Sequence, residues 1–378
     1  MRNYSVVVLG TRGAGKTVFL ASLFHRLSTA GRYGFFLEAP GDQRKQLNSI
    51  YKTVAVDDEW PEANQLADFR KFEFRCRVIS PRAKSYDAFT MTYWDYAGGL
   101  LTADGTDGTE AFEAVLADAD SFLALLDGQR VYDYVEGLDP TGSFVFEDIP
   151  GLVPILSGSD TPLQLVITKW DVFGPEYSLE RVRKKLLEID QLRDLIAAKK
   201  FAGLAVRLIP VSSVGYGFAR QDGNRMIKTG KPCDPFQVEI PLAFVLPDKV
   251  VAELEKIRTK EDDARQQSVA SIRPAFSFWD HTGRALGGTL RVASEFLPSR
   301  FRFTERVLEK LADRAEKGAK EKMELANRSM EDRRRELQES LANVVDEATA
   351  LEHALDRFRV MSTEFEFHFP ASRIELPQ

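Results

Sequence analysis

Residues 10–17 read Gly-Thr-Arg-Gly-Ala-Gly-Lys-Thr, which sets a lysine and a hydroxyl directly after a loop of three glycines. Glycines let backbone N–H groups turn inward and approach an anion closely, and a helix start immediately after them adds its own unpaired N–H groups. Polyphosphate binding is the chemistry that suits this spacing. Gly10, Gly13, Ala14 and Gly15 would form the cradle, Lys16 would reach the β and γ phosphates, and the Thr17 hydroxyl would ligate Mg²⁺. Arg12 lies inside the loop, and two readings stand side by side: a catalytic charge near the β/γ bridge, acting with Lys16, or a solvated loop residue.

The flanks are those the loop requires. Tyr4–Leu9 is a short apolar run that predicts a buried parallel strand. Beyond the loop, Leu20, Leu23, Phe24 and Leu27 recur at helical spacing. Strand, glycine loop and helix together predict a nucleoside triphosphate site.

A second chemical landmark concerns the base. Leu163–Thr168 predicts a strand, and it runs into Thr168-Lys169-Trp170-Asp171. A carboxylate just past a strand end can accept from both N1–H and the exocyclic amine of guanine, while adenine offers no such donor pair. A buried fork discriminates because the wrong base leaves a charged acceptor unpaired. The stem of Lys169 would lie over the purine plane. The other reading of the tetrapeptide is an Asp that caps a helix in a strand-to-helix loop.

Between these landmarks Tyr93-Trp-Asp-Tyr-Ala-Gly98 follows an alternating strand, and Ser212-Ser213-Val214 follows Leu204–Val211. With these four motifs in this order, each at a strand end, roughly the first 250 residues resemble Ras-like P-loop GTPases. The resemblance implies that Asp95 holds Mg²⁺ through water, that the Gly98 amide senses the γ-phosphate, and that the Ser212-Ser213 loop meets the guanine O6 through the Ser213 N–H. GTP or GDP with Mg²⁺ is then the expected cofactor. The layout as a whole also resembles GTPases of bacterial multi-component signalling and defence systems.

The elements needed to position such a site are legible as patterns. Phe72, Phe74, Cys76 and Val78 alternate with charged residues, as do Phe89, Met91 and Tyr93 with polar ones. They predict an antiparallel hairpin turning at Ser80-Pro81. Further strands are expected at 121–126, 163–168 and 204–211, and a helix at 178–199, where Leu179, Val182, Leu186 and Ile189 share a face. The expected fold is α/β, a mostly parallel P-loop GTPase sheet with helices on both faces and the nucleotide at the strand C-terminal ends.

Departures from the family pattern are specific. Gly99 stands where many small GTPases carry the glutamine that orients the attacking water. Thr53 is the only threonine from 30 to 89, so the expected loop threonine has one distant candidate. Long insertions fall at 32–68, 128–160 and 215–235. Residues 100–109, rich in Gly and Asp, suit a loop ordered by the γ-phosphate.

Beyond residue 250 the chain changes character. Residues 251–300 read as a helical connector, and its 274–298 part fits packing on the body better than an interfacial membrane segment. Residues 301–360 are dense in charge. Leu337, Leu341, Val344, Ala348, Leu351, Leu355 and Phe358 recur at spacings of four and three. That seam fits a coiled coil, or a single amphipathic helix docked on the body. In the tail, 361–378, Phe365, Phe367 and Phe369 alternate with polar residues and predict a strand, with His368 facing solvent.

Composition excludes several classes. The formal charge of −6 and pI near 5.5 argue against a general nucleic-acid binder. Two cysteines are too few for a disulfide framework and fit a reducing cytosol. The first strand starts almost at once, which leaves no room for a signal peptide, and no apolar run approaches the ~20 residues of a membrane span. A cytoplasmic protein is expected. Two functions follow: a slow GTP-hydrolysing switch whose C-terminal helical part signals to a protein partner, or a GTP-loaded scaffold that self-associates through 300–378 with little turnover. A dynamin-like membrane remodeller is a third, and nothing in the sequence supplies its lipid-facing surface.

Overall fold

In a computed structural model, the structure describes residues 3–29, 33–57, 59–61, 70–95, 109–222, 225–249, 335, 338–339 and 341–375. Strand β1 (Asn3–Leu9) buries every residue after Asn3, as a central strand must. Tyr4, Val6 and Val8 enter the core on one face of the sheet, Val7 and Leu9 the core on the other. Around it lie β2 (Phe35–Glu38), β3 (Arg70–Ile79), β4 (Ser85–Asp95), β5 (Ser121–Leu126), β6 (Leu163–Ile167) and β7 (Val206–Pro210), in the order β2-β3-β4-β1-β5-β6-β7. β4, β1, β5, β6 and β7 pair in parallel, while β2–β3 and β3–β4 are antiparallel. The strands expected at 4–9, 121–126, 163–168 and 204–211 and the 72–93 hairpin are present. The hairpin turn is closed by Ser80 N–H donating to the Lys84 carbonyl at 2.8 Å.

The helices are α1 (Lys16–Leu27), α2 (Gly41–Ala55), α3 (Thr109–Ala117), α4 (Gly128–Glu136), α5 (Ile149–Ser157), α6 (Leu179–Leu186), α7 (Asp190–Phe201), α8 (240–249) and α9 (Glu347–His368). Apolar residues of α1, α8 and α9 fill the core on one sheet face, and those of α4, α5, α6 and α7 the core on the other. The fold is thus α/β, with helices on both faces of a mostly parallel, mixed seven-stranded sheet. Among the described residues no helix is long and apolar enough to cross a membrane.

The described parts of the insertions hold regular elements. Residues 32–68 contribute β2 and α2, 128–160 contribute α4, a π-helical turn at Phe144–Asp148 and α5, and 215–235 contribute a hairpin of β8 (Ala219–Asp222) and β9 (Arg225–Lys228). β3 is longer than its neighbour β2, so among the described strands part of its edge has no strand partner. Gln43 of α2 takes the missing strand's place, accepting from Glu73 N–H at 2.8 Å and donating to the Lys71 carbonyl at 3.3 Å.

Two expectations are corrected. The 178–199 helix is two helices, because the chain turns at Leu187–Ile189 so that Ile189 and Leu192 can both enter the core. The 363–369 strand is the end of α9. Alternation put Phe365, Phe367 and Phe369 on one face. Phe365 of the last turn and Phe369 at the helix cap meet, centroids 5.1 Å, and Phe367 is 63 % exposed. His368 is exposed, as expected. Of the two readings of the seam, its Val344–Phe358 part follows the docked helix: Val344, Leu351, Leu355 and Phe358 lie in the core with Phe35 and Phe89. The expected boundary at residue 360 therefore falls inside α9. Gly98, Gly99, the 100–108 part of the expected switch loop, the 251–300 connector, most of 301–340 and Leu337 lie outside the described residues.

Candidate functional site

Sheet register brings the motif-bearing loops to one edge. Val8 pairs with Asp95, Leu9 with Ala124, Leu126 with Ile167, and Ile167 with Pro210. The chain therefore leaves the sheet at 10–17, 95, 127, 168–171 and 211–213 along a single carboxyl-terminal edge. The connection out of β1 runs through α1 to β2 on the β4 side of the sheet, and the connection out of β4 passes to β5 on the other side of β1. That is the point at which open α/β sheets form a crevice for ligands.

Close approach explains the first glycine. A Cβ on Gly10 would sit 2.6 Å from the Leu125 carbonyl oxygen, so a side chain would push the loop off the neighbouring strand. Gly15 has φ 78° as it opens α1, a conformation that L side chains rarely adopt. Ala14 is fully buried under the loop, and its N–H donates to the Thr11 carbonyl at 3.2 Å. Arg12 is exposed.

Lys16 turns back over the loop. Its ammonium donates to the carbonyls of Gly10 at 2.7 Å and Thr11 at 3.1 Å, and the side chain is 8 % exposed. Burial lowers its pKa, against the pull of Asp95. The Thr17 hydroxyl donates to Asp95 Oδ2 at 2.9 Å, joining the start of α1 to the end of β4. A hydroxyl and a nearly buried carboxylate are hard oxygen donors, so this pair fits Mg²⁺, which takes few protein ligands and keeps phosphate oxygens and water for the rest. Among the described residues no group of three or more His, Cys, Asp or Glu is placed to hold a metal ion.

The 168–171 and 211–213 loops are joined. Trp170 N–H donates to the Val211 carbonyl at 3.0 Å, and Ser212 Oγ donates to Asp171 Oδ1 at 2.5 Å. Ser212 Oγ in turn accepts from Gly215 N–H at 2.8 Å, which fixes its direction. Asp171 has its pKa raised by burial, with the Ser212 hydrogen bond opposing. Trp170 is buried and stacks on Phe173 at 4.4 Å. Thr168 Oγ1 donates to the Leu126 carbonyl at 3.0 Å. Ser213 is half-buried, and its carbonyl accepts from Ser22 of α1 at 2.9 Å. Lys16, Thr17, Asp95, Lys169, Asp171, Ser212 and Ser213 thus share one edge.

Two residues absent from the sequence reading join them. Asp127 caps α4 by accepting from Gln129 N–H at 3.0 Å, and its second oxygen accepts from Lys169 Nζ at 2.7 Å. Strand, Asp and Gly in succession at 126–128 were the available signal for a helix cap. Asp148, from the 128–160 insertion, accepts from Arg130 at 2.6 Å. Burial raises its pKa to about 6, with Arg130 opposing and Asp127 adding to the rise. Thr53 lies in the last turn of α2, its carbonyl bound by Lys228 at 2.9 Å. No protein-family model matches the chain, and no curated protein matches it.

Proposed function

We propose that the chain is a guanine-nucleotide-binding protein, a slow GTPase of the Ras-like P-loop kind that switches with its nucleotide. The observation that carries this reading is the hydrogen bond between Thr17 and Asp95, which lie 78 residues apart and end on neighbouring elements. A hydroxyl after the glycine loop and a carboxylate at the next strand end have no shared purpose in a plain structural turn. As a pair they suit a cation that bridges phosphates.

In this reading the Gly10–Gly15 backbone N–H groups and the α1 N-terminus receive the phosphates, and Lys16 exchanges its two carbonyl partners for phosphate oxygens. Mg²⁺ held at Thr17 and Asp95 would offset phosphate charge. Asp171, aimed by Ser212, accepts from the base. Hydrolysis adds water to the γ-phosphorus, breaks its bond to the β,γ-bridging oxygen and leaves GDP and phosphate. Gly99 has no side chain to orient that water and Arg12 is exposed in the structure, so turnover by the isolated protein falls at roughly 10⁻⁴–10⁻² s⁻¹.

The scaffold reading keeps the same site but no significant hydrolysis, and Gly99 together with Thr53 locked in α2 favours it over a fast enzyme. Identification of the nucleotide carried through purification, followed by single-turnover hydrolysis with Mg²⁺, separates the cases. Bound GDP with measurable turnover supports the switch. Bound GTP without turnover supports the scaffold, and an adenine nucleotide or none overturns both.

A further inference from the structure

Three loops of the candidate site meet at one carboxylate. Asp127 is 6 % exposed and stands at the end of β5. Its Oδ2 accepts from the Lys169 ammonium at 2.7 Å, and the same oxygen lies 3.7 Å from where a Cβ on Gly13 would be. Next to it, a Cβ on Gly128 would come within 1.8 Å of the Thr168 carbonyl oxygen. The β5 end is therefore pressed between the 10–17 loop and the 168–171 loop, with no room for a side chain at 128.

Lys169 needs such a partner. It has φ 50°, an unfavourable conformation for a lysine, and its side chain is 41 % exposed. A long, half-exposed side chain samples many rotamers unless something holds its end. Asp127 supplies the holding charge, while its other oxygen is occupied by the α4 cap and fixes the carboxylate plane. The arrangement differs from a surface ion pair because the acceptor is buried and has one available direction.

We infer that Asp127 is a positioning residue for nucleotide binding, holding Lys169 extended beside the phosphate loop so that its stem is in place before the purine arrives. This rests on the guanine-nucleotide reading above. Asp127 touches no nucleotide itself. It acts by reducing the ordering that Lys169 would otherwise undergo on binding, which is preorganisation.

The test is a double-mutant cycle in the full chain, read by the affinity and dissociation rate of a fluorescent GDP analogue. Asp127→Asn keeps an oxygen for the Gln129 N–H and removes the charge. It should weaken binding 5- to 20-fold, mostly through faster dissociation, while Asp127→Glu recovers at least half of the loss on a logarithmic scale. Lys169→Ala should weaken binding, and adding Asp127→Asn to it should change nothing further. If Asp127→Asn disturbs the thermal melt, Asp127→Ser, which also caps a helix, takes its place. Wild-type affinity or tighter binding in the Asn variant overturns the proposal, as does a loss that multiplies with that of Lys169→Ala. In those cases the guanine-nucleotide reading survives if Lys16→Ala still abolishes binding. A wild-type protein that does not bind the analogue overturns both.

Discussion

The ring of Phe358 meets that of Phe35 edge-on, with centroids 5.1 Å apart, and reaches Phe89 at 6.0 Å. Residue 358 thereby shares a core with strands β2 and β4, and the C-terminal helix covers sheet that would otherwise face water. Its start is fixed by a capping box in which Asp346 accepts from Thr349 N–H and the Thr349 hydroxyl accepts from Asp346 N–H. Its far end is held by Arg207 of β7, which pairs with Glu366 and with Asp248 of α8.

Removing this helix should therefore damage the fold as well as any signalling. Residues 1–250 expressed alone are expected to bind a hydrophobic dye and to melt without a cooperative transition. In the full chain, Phe358→Ala should cost about 3–5 kcal/mol, the range for emptying a buried aromatic site. Chemical denaturation measures it. A cooperative 1–250 fragment of wild-type stability would show that α9 is dispensable.

Acid should loosen α9 first. His353 is 1 % exposed, and burial lowers its pKa to about 4, with Arg357 adding to the fall and Asp356 opposing it. The unfolded chain binds a proton near 6.5 and the folded one near 4. Stability from this group is fully present above pH 6.5 and is lost as pH falls through that window. The loss amounts to at most about 3 kcal/mol. Tm followed from pH 8 to 4 should fall less steeply in His353→Leu, and equal slopes would count against a buried neutral histidine.

Lys16→Ala should abolish triphosphate binding with the fold kept. The lost charge-assisted contacts are worth ~2–4 kcal/mol in a shielded site. The ammonium also bridges the Gly10 and Thr11 carbonyls, so a small fall in Tm is expected as well. Isothermal titration with GDP and GTP gives the affinity, and unchanged affinity would remove the phosphate-loop assignment.

Asp171→Asn should move preference from guanine toward xanthine nucleotides, because it replaces an acceptor by a donor facing the base. Binding of guanine nucleotide to the wild type should also weaken as pH falls. The carboxylate must be ionised to accept, and its pKa is raised, so the loss begins above the ordinary carboxylate range. Ser212→Ala, which removes the hydroxyl that aims Asp171, should weaken guanine binding several-fold. Competition by GTP, ATP and XTP against a fluorescent guanine nucleotide checks all three. Equal competition by ATP and GTP at the wild type would end the base assignment.

Short-range chemistry made much of this protein legible before any fold was known. Gly10 to Thr17 is readable because each glycine answers a local demand for close approach or positive φ, and such demands leave a residue type behind. Strands β1 and β3–β7 are readable because burial on one or both faces of a sheet writes a period into the chain. What distant parts of the chain do to one another was not legible. Asp127 carries no motif of its own, and its meaning depends on Lys169 lying 42 residues away on the next strand's loop. The three phenylalanines at 365, 367 and 369 satisfy a strand pattern by themselves. A helix forms because Phe365 finds Phe244 at 5.9 Å and Phe369 finds Phe236 at 6.3 Å. Local alternation carries only a weak preference, whereas burying large side chains against a preformed core is worth kilocalories, and that non-local term decided the end of the chain.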